Sequence, residues 1–479
     1  MQKLNSIRDL KPGNLVIASR YMVGNYDSRA TSNAADTSNP LYPAVKHPPI
    51  LVLETSPRFA IVPLDNPEGN VLDWESGLTS LYDEPVYIAD KSLSLDEVQK
   101  LDREYSMSDG FHGTWGCDPE IFVTDKDDNI VPAFEFLPSE KEIRRGGGLA
   151  YWDGFQAEFR MADVPTCLEV LNQYIGMGLY KVWRAATRKN PAYKLAIRDT
   201  IPVPPAMLMG ADPEHVQFGC KPSRNVYGLA GERIPDPRLL PIRFAGGHIH
   251  MGLRNTYPEL AAMTSELRQR QIEQVVRALD RTVGLASIAL FGELEDVRRR
   301  RYYGLAGEYR MPVYGLEYRT LSPYWMLSPA VYFLVFELAR LGVGLGMDNE
   351  VYSRYQATDT EVIEAIQHSD AELARTIIHR NWQIFERGLI RQFARRWANP
   401  YHSKFMTPVK DLKCAIVPAA ARTLMFDGIL KHFKHDPRDW ERIDLAWGIT
   451  EETQGQGRSH DNFGYAAEHI VKHRTLELR

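Results

Sequence analysis

Gly246-Gly247-His248-Ile249-His250-Met251-Gly252 is the stretch on which the fold turns. Two histidines stand two residues apart, with apolar neighbours and glycines on either side. In a strand, residues two apart share a face, so both imidazoles project to the same side. Three other segments repeat the device: Gly315-Leu316-Glu317-Tyr318-Arg319, Asp153-Gly154-Phe155-Gln156-Ala157-Glu158-Phe159-Arg160 and Gly116-Cys117-Asp118-Pro119-Glu120. Their pairs are Glu317/Arg319, Glu158/Arg160 and Asp118/Glu120. Strands carrying these pairs would gather carboxylates, imidazoles and guanidiniums on one surface. Burying such groups is costly unless they are paired or hold a metal. The combination therefore predicts a site for cations and an anionic ligand.

Each motif alone has a plainer reading. Asp118-Pro119-Glu120 is a turn entering a strand, the histidine pair is one buried and one surface residue, and Glu317-Tyr318-Arg319 is a strand salt bridge. Together, carboxylates with one or two histidines and no cysteine suit Mg²⁺ or Mn²⁺ better than structural Zn²⁺, and Mg²⁺ sites of this composition usually hold nucleotide phosphates. The run Arg298 to Arg301 passes through Tyr302-Tyr303-Gly304 to Arg310. Its plain reading is a solvated helix end; its functional one places Arg301 or Arg310 on a phosphate, for which arginine is the preferred bidentate partner. Arg144-Arg145-Gly146-Gly147-Gly148 reads as a mobile loop. Neither GxxxxGK[ST], GxGxxG after a strand, nor GxSxG occurs, and Cys117 reads as a packing residue.

With 479 residues the chain is long enough for two or three structural units, and 44% hydrophobic and 25% charged residues are those of a globular protein. A net charge of −5 argues against non-specific nucleic-acid binding. Four scattered cysteines fit a reducing compartment. MQKLNSIRDL lacks a signal-peptide core, and Pro329 to Gly346, the most apolar stretch, carries Glu337 and Arg340 and reads as a buried helix rather than a membrane span. A cytoplasmic protein is expected. Residues 1–105 read as a β-rich module, with strands at Leu15–Ala18, Ile50–Leu53 and Phe59–Val62, a loop from Asn25 to Asn39 and a helix opening at Ser94. Residues 106–345 alternate strands and helices: a hairpin from Glu120 to Phe136, helices at Ala162–Asn190, Pro258–Leu290 and Pro329–Gly346, and strands at Tyr193–Val203, Arg243–Gly252 and Tyr314–Leu321. Residues 346–479 read as helical.

The order of the motifs resembles the glutamine synthetase and glutamate–cysteine ligase superfamily, and most closely the phage-encoded amidoligases, the type 2 carboxylate–amine ligases. The resemblance runs from about Gly116 to Trp325 and leaves out the N-terminal module and the C-terminal helices. It implies an α+β fold: a curved antiparallel, glutamine synthetase-like sheet with the site on its concave face and helices on its back. It also implies that Glu120, Glu158, His248 and Glu317 are metal ligands, with Asp118, Asp153 and His250 as supporting ligands or substrate contacts. Arg160 falls on the substrate side beside Asp153. Arg301, Arg310 and Arg319 would hold the transferred phosphoryl group. Where the first strand of glutamine synthetase has two glutamates, this chain has Asp118 and Glu120.

The function implied is an ATP- and Mg²⁺-dependent (or Mn²⁺-dependent) ligase joining a small-molecule or peptide acid to an amine through an acyl phosphate, in the host cytoplasm if phage-encoded, without nucleic-acid or membrane partners. Its rival is a phage structural or assembly protein that keeps the ligase fold without turnover. A metal-dependent hydrolase shares the acidic pairs but has no use for the arginine-bearing loop.

Overall fold

The computed structural model describes six N-terminal strands, then residues 114–452 and 454 apart from 147–148, 161–167, 218–222, 234–235, 254–256, 387, 390–415 and 433–435. The chain divides into two compact units, Met1–Asp109 with Arg387–Ala415, and Gly110–Glu386 with Ile416–Arg479.

In the first unit, β1 (Gln2–Lys3), β2 (Leu15–Ala18), β3 (Ile50–Glu54), β4 (Ala60–Pro63), β5 (Leu72–Asp73) and β6 (Val86–Ile88) form an antiparallel sheet in the order β1-β6-β2-β3-β4-β5. The apolar runs read from sequence are β2, β3 and β4. The expected loop at Asn25–Asn39 and helix at Ser94 lie outside the described residues.

The second unit is mixed helix and sheet, with its antiparallel strands curled into a half-barrel. Its early strands are β7 (Thr114–Cys117), β8 (Glu120–Thr124), β9 (Ile130–Val131), β10 (Ala150–Asp153), β11 (Gln156–Phe159), β12 (Lys194–Ala196) and β13 (Thr200–Pro202). The later ones are β14 (Arg224–Asn225), β15 (Ile242–Phe244), β16 (Ile249–Gly252), β17 (Glu308–Arg310) and β18 (Leu316–Tyr318). One sheet runs β14-β17-β18-β16-β7; a second runs β10-β11-β8-β12 with β9 beside β8; β13 and β15 pair with each other. β7 and β8 are consecutive in sequence yet belong to different sheets. The break falls at Asp118-Pro119, where proline has no N–H to give a ladder and restricts the residue before it.

Helices pack on these strands. α1 (Leu168–Lys189) lies on β7, β10, β11 and β12, while α2 (Ser265–Leu279) packs on α4 (Pro329–Met347). Between them α3 (Leu285–Phe291) packs on α6 (Ala371–Arg380) and α7 (Ile416–Asp427); α5 (Asp359–Gln367) and α8 (Trp440–Trp447) are also among the longer described helices. The interface side chains Trp115, Phe159, Leu171, Ile175 and Leu179 are fully buried; each such group contributes about 1.5–3 kcal/mol. Ser328 caps α4 by accepting the Val331 N–H, and Glu337 within it pairs with Arg340 at 3.5 Å. Among the described residues no helix is long and apolar enough to cross a membrane.

Several elements differ from the sequence reading, each for a local polar reason. The single strand expected at Tyr193–Val203 is broken between β12 and β13 at Asp199, whose buried carboxylate accepts the Asp296 N–H at 2.8 Å and the Tyr324 hydroxyl at 3.0 Å. Arg243–Gly252 is likewise two strands, β15 and β16, with Ala245–His248 between them. Pro258–Leu290 is interrupted where Thr264 caps α2 and again by a π turn at Asp280–Gly284, whose Asp280 receives the Tyr318 hydroxyl at 2.6 Å. The expected loop at Arg144-Arg145-Gly146 is the end of a helix, Glu140–Gly146.

Candidate metal and catalytic centre

The gap between β7 and β8 sends its two acidic residues to different places. Asp118 turns to the first sheet and Glu120 to the second, so the pair does not act as one ligand face.

Around Asp118 the charges are mixed. In register, β16 places His250 opposite Gly116 of β7 and Glu317 of β18, and β17 places Arg310 opposite Glu317. Asp118 Oδ1 lies 2.9 Å from His250 Nε2 and 3.1 Å from His248 Nδ1. Glu317 Oε1 accepts from Arg319 Nη1 and lies 3.3 Å from Arg310 Nη1 and 3.8 Å from His248 Nδ1. Arg319 is buried over the Tyr303 ring, 5.6 Å from its centre, with its Nε 3.7 Å from Glu308. On the outer side the Tyr314 hydroxyl bonds His250 Nδ1 at 2.6 Å and its ring stacks on the imidazole. Burial pushes the Asp118 carboxyl up, but the facing His250 and His248 outweigh it and hold the group well below the usual carboxylate range. Burial and Arg319 lower His248; for His250 burial is outweighed by Asp118, which raises it.

Around Glu120 negative charge is in excess, and Arg319 and Arg310 offset it only in part. β11 pairs with β8 so that Glu158 stands directly opposite Glu120, an arrangement that is unfavourable for like charges. The β10–β11 hairpin turns at Gly154-Phe155 and brings Asp153 to the same place. Oxygen atoms of Glu120, Asp153 and Glu158 lie within 4.8 Å of one another. Glu120 Oε2 accepts the Gly246 N–H at 2.6 Å, and Glu158 accepts from the Tyr151 hydroxyl. Burial, reinforced by Asp153, pushes Glu120 up to about 8. Burial with Asp118 and Glu140 takes Asp153 to about 6, and burial with the surrounding carboxylates takes Glu158 well above its ordinary value. The Tyr303 hydroxyl joins the two clusters, 2.5 Å from His248 Nε2 and 3.1 Å from Glu120 Oε1. Its single hydrogen serves one of them, and the other contact takes a proton carried by Glu120 or by His248 Nε2.

Gly246 and Gly247 are dictated by this crowding. A Cβ on Gly246 would fall 2.6 Å from His248 Nε2 and from the Tyr303 hydroxyl, and one on Gly247 would fall 2.3 Å from Trp325 Nε1.

Asp118, His248, His250, Glu317, Arg310 and Arg319 thus meet in one cluster, and Glu120, Asp153 and Glu158 in the other. Arg301 does not join them: its side chain is 59% exposed and pairs with Glu232 at 2.9 Å. The arginines of the run that go inside are Arg299 and Arg300, because their guanidiniums find backbone carbonyls and Glu295 there. Arg160 is half-buried at the end of β11, where its N–H donates to Leu149. Sequence reasoning missed Tyr151, Tyr303, Tyr314 and Glu308. Tyr151 was within reach of the two-apart rule, standing two residues before Asp153.

All three donors around Glu120 are carboxylates, and their pKa values are raised first by burial and then by neighbouring carboxylates, which the arginines offset only in part. That donor chemistry fits a hard divalent cation such as Mg²⁺ or Mn²⁺. A second group, Asp118, His250 and Glu317, also has ligand atoms within 4.8 Å of one another, but its members are already bonded to cationic or donor partners.

Residues 240–405 match the family described as phage phiEco32-like COOH.NH2 ligase-type 2. The match bears out the resemblance to a phage-type carboxylate–amine ligase. It includes His248, His250, Arg310, Glu317 and Arg319, ends well past Trp325 and so takes in helices read from sequence as outside the resemblance, and starts after Asp118, Glu120, Asp153 and Glu158. No curated protein and no solved structure matches the chain.

Proposed function

We propose that this chain is an ATP- and Mg²⁺-dependent carboxylate–amine ligase, built on a glutamine synthetase-like sheet, that forms an amide (peptide or isopeptide) bond through an acyl phosphate. The observation that carries the reading is the carboxylate trio Glu120, Asp153 and Glu158, with oxygens within 4.8 Å of one another, beside arginines on strands that match a ligase family. Glu120, Asp153 and Glu158 would hold the cation, which would neutralise phosphate charge and orient the γ-phosphoryl group. Arg310, a quarter exposed, is the arginine placed to meet the phosphoryl group; Arg319, buried between Glu317 and Glu308, fixes the strand beside it. An oxygen of the acid substrate attacks the γ-phosphorus and ADP leaves. The amine then attacks the acyl carbon, phosphate leaves, and the amine proton passes to solvent or a neighbouring base. Like charges must be brought together in the first step, which is what a cation and arginines stabilise.

The test is nucleotide turnover with candidate acids and amines, with hydroxylamine in place of the amine. The expected products are ADP, phosphate and a hydroxamate of the acid. AMP would mean adenylation and overturn the acyl-phosphate route. Absence of nucleotide binding with Mg²⁺ or Mn²⁺ would favour the rival, an assembly protein that keeps the ligase fold.

A further inference from the structure

The four-arginine run divides in two. Arg298 and Arg301 are exposed and pair with Asp296 and Glu232. Arg299 and Arg300 are buried, and Arg300 is neutralised by Glu295 at 2.7 Å. Arg299 is held differently: Nε donates to the Ala245 carbonyl at 2.9 Å, Nη2 donates to the Leu321 carbonyl at 2.9 Å, and the guanidinium lies 4.9 Å from the centre of the Tyr303 ring. Each partner leads to the centre. Ala245 precedes Gly246, whose N–H binds Glu120. Leu321 follows Arg319 by two residues, and its carbonyl also takes the Gly247 N–H at 3.0 Å. Tyr303 touches both Glu120 and His248. Removing a buried guanidinium leaves the carbonyls it held without a donor, so the loops that carry them shift.

We infer that Arg299 is a positioning residue of the cation centre: it fixes the Gly246 N–H and the Tyr303 hydroxyl so that Glu120 faces Asp153 and Glu158. The inference rests on the reading of those carboxylates as cation ligands. Because the guanidinium bridges two loops and an aromatic ring, its loss frees Glu120 to rotate, while the carboxylates themselves remain.

A plain structural role predicts something else, and Arg243 separates the two. It is equally buried and donates to the carbonyls of Leu240, Ile242 and Val216, and its link toward the centre is the Phe155 ring in the hairpin turn, 5.1 Å away, rather than a partner of Glu120. In the full chain, Mn²⁺ binding by calorimetry at pH 8 and the urea midpoint would be measured for the wild type, Arg299→Met, Arg299→Lys and Arg243→Met. Loss of an outer partner costs about 10–100-fold in metal affinity, the fall expected for Arg299→Met, with Arg299→Lys between it and the wild type. Arg243→Met should lower the midpoint yet keep Mn²⁺ affinity within about twofold, since the carbonyls it holds belong to Leu240, Ile242 and Val216 and not to the loops that fix Glu120. A folded Arg299→Met protein with wild-type Mn²⁺ affinity overturns the inference. So does an Arg243→Met protein that loses affinity as steeply for the same fall in midpoint. If Arg299→Met does not fold, the same two outcomes apply to Arg299→Lys. Failure of the wild type to bind Mn²⁺ overturns the ligase reading, and this inference with it.

Discussion

The two clusters joined by Tyr303 bury the same kinds of group to opposite effect. Around Asp118, two carboxylates meet two imidazoles and two guanidiniums, and Asp118 is held low despite its surroundings. Around Glu120, three carboxylates meet one another and neutral donors, Arg319 and Arg310 offset them only in part, and all three are pushed up. Burial acts alike in both; the sign of the neighbours decides the outcome. A compensated cluster is complete as it stands and serves to shape the site. An uncompensated one is complete only with a cation or extra protons. On the function proposed above, the difference separates a scaffold from a metal centre more sharply than ligand type does, since both clusters contain suitable donors.

The largest effect should follow removal of a ligand from the uncompensated side. Glu120→Gln or Glu158→Gln is expected to cut Mn²⁺ affinity by more than the roughly 10–100-fold that an outer partner costs, and to abolish ADP formation. Asp118→Asn should leave most Mn²⁺ affinity in place. Calorimetry on the three variants decides; the reverse pattern would exchange the roles of the clusters.

Next in size is the cost of uncovering a charge on the compensated side. Glu317→Gln strips Arg319 and Arg310 of their shared carboxylate, and breaking a buried pair in this way costs about 3–5 kcal/mol. Urea unfolding should show that loss equally with and without Mn²⁺. Full rescue by Mn²⁺ would mean that Glu317 is a metal ligand after all.

The pH dependence sharpens the contrast further. Glu120, at about 8 in the fold, lies above the ordinary glutamate range, so the native state keeps a proton that the unfolded chain releases. Stability of the cation-free protein should therefore fall as pH rises from about 4.3 to 8, by at most about 1.4 kcal/mol per pH unit for this group. Asp118 has the opposite sign: its contribution is present above the ordinary aspartate range and is lost only in strong acid. Thermal melts in chelator at pH 6 and 8 should show the decline, Glu120→Gln should flatten it, and Mn²⁺ should stabilise more at pH 8 than at pH 6. A cation-free protein whose stability rises over that window would contradict the raised carboxylates.

Much of this was open to a two-residue periodicity. It identified Asp118, Glu120, Glu158, Glu317 and both histidines, because strand geometry ties spacing to facing direction; Asp153 came with the resemblance, and Glu308 was missed. It failed where the strand itself stops. Asp118 and Glu120 are two apart in number but sit on either side of a proline break, and that break is what creates two clusters. Helix ends were legible where a cap is local: Asp359–Gln367 is α5 as read, fixed by the Thr358–Glu361 capping box. The breaks at Asp199 and Asp280 were hidden, because each depends on tertiary partners, Tyr324 and Tyr318. The arginine run misled for a related reason. Spacing cannot say which of four consecutive guanidiniums finds buried carbonyls.

The smallest expected effect tests that last point. Arg301 carries the pattern that suggested a phosphate contact, but its partner is the exposed Glu232, and such pairs are worth about 0–1 kcal/mol. Arg301→Ala should therefore change stability within that range and leave the kcat and KM for ATP unaltered. Arg310→Ala, which acts on a group beside Glu317, should lower kcat with a smaller change in KM, since its contact matters most when charge is in transfer. Steady-state kinetics on the two variants compare a solvated arginine with one at the centre. A large kcat loss in Arg301→Ala would mean that Arg301 leaves Glu232 and swings inward when substrate binds, and the run would regain the role its sequence suggested.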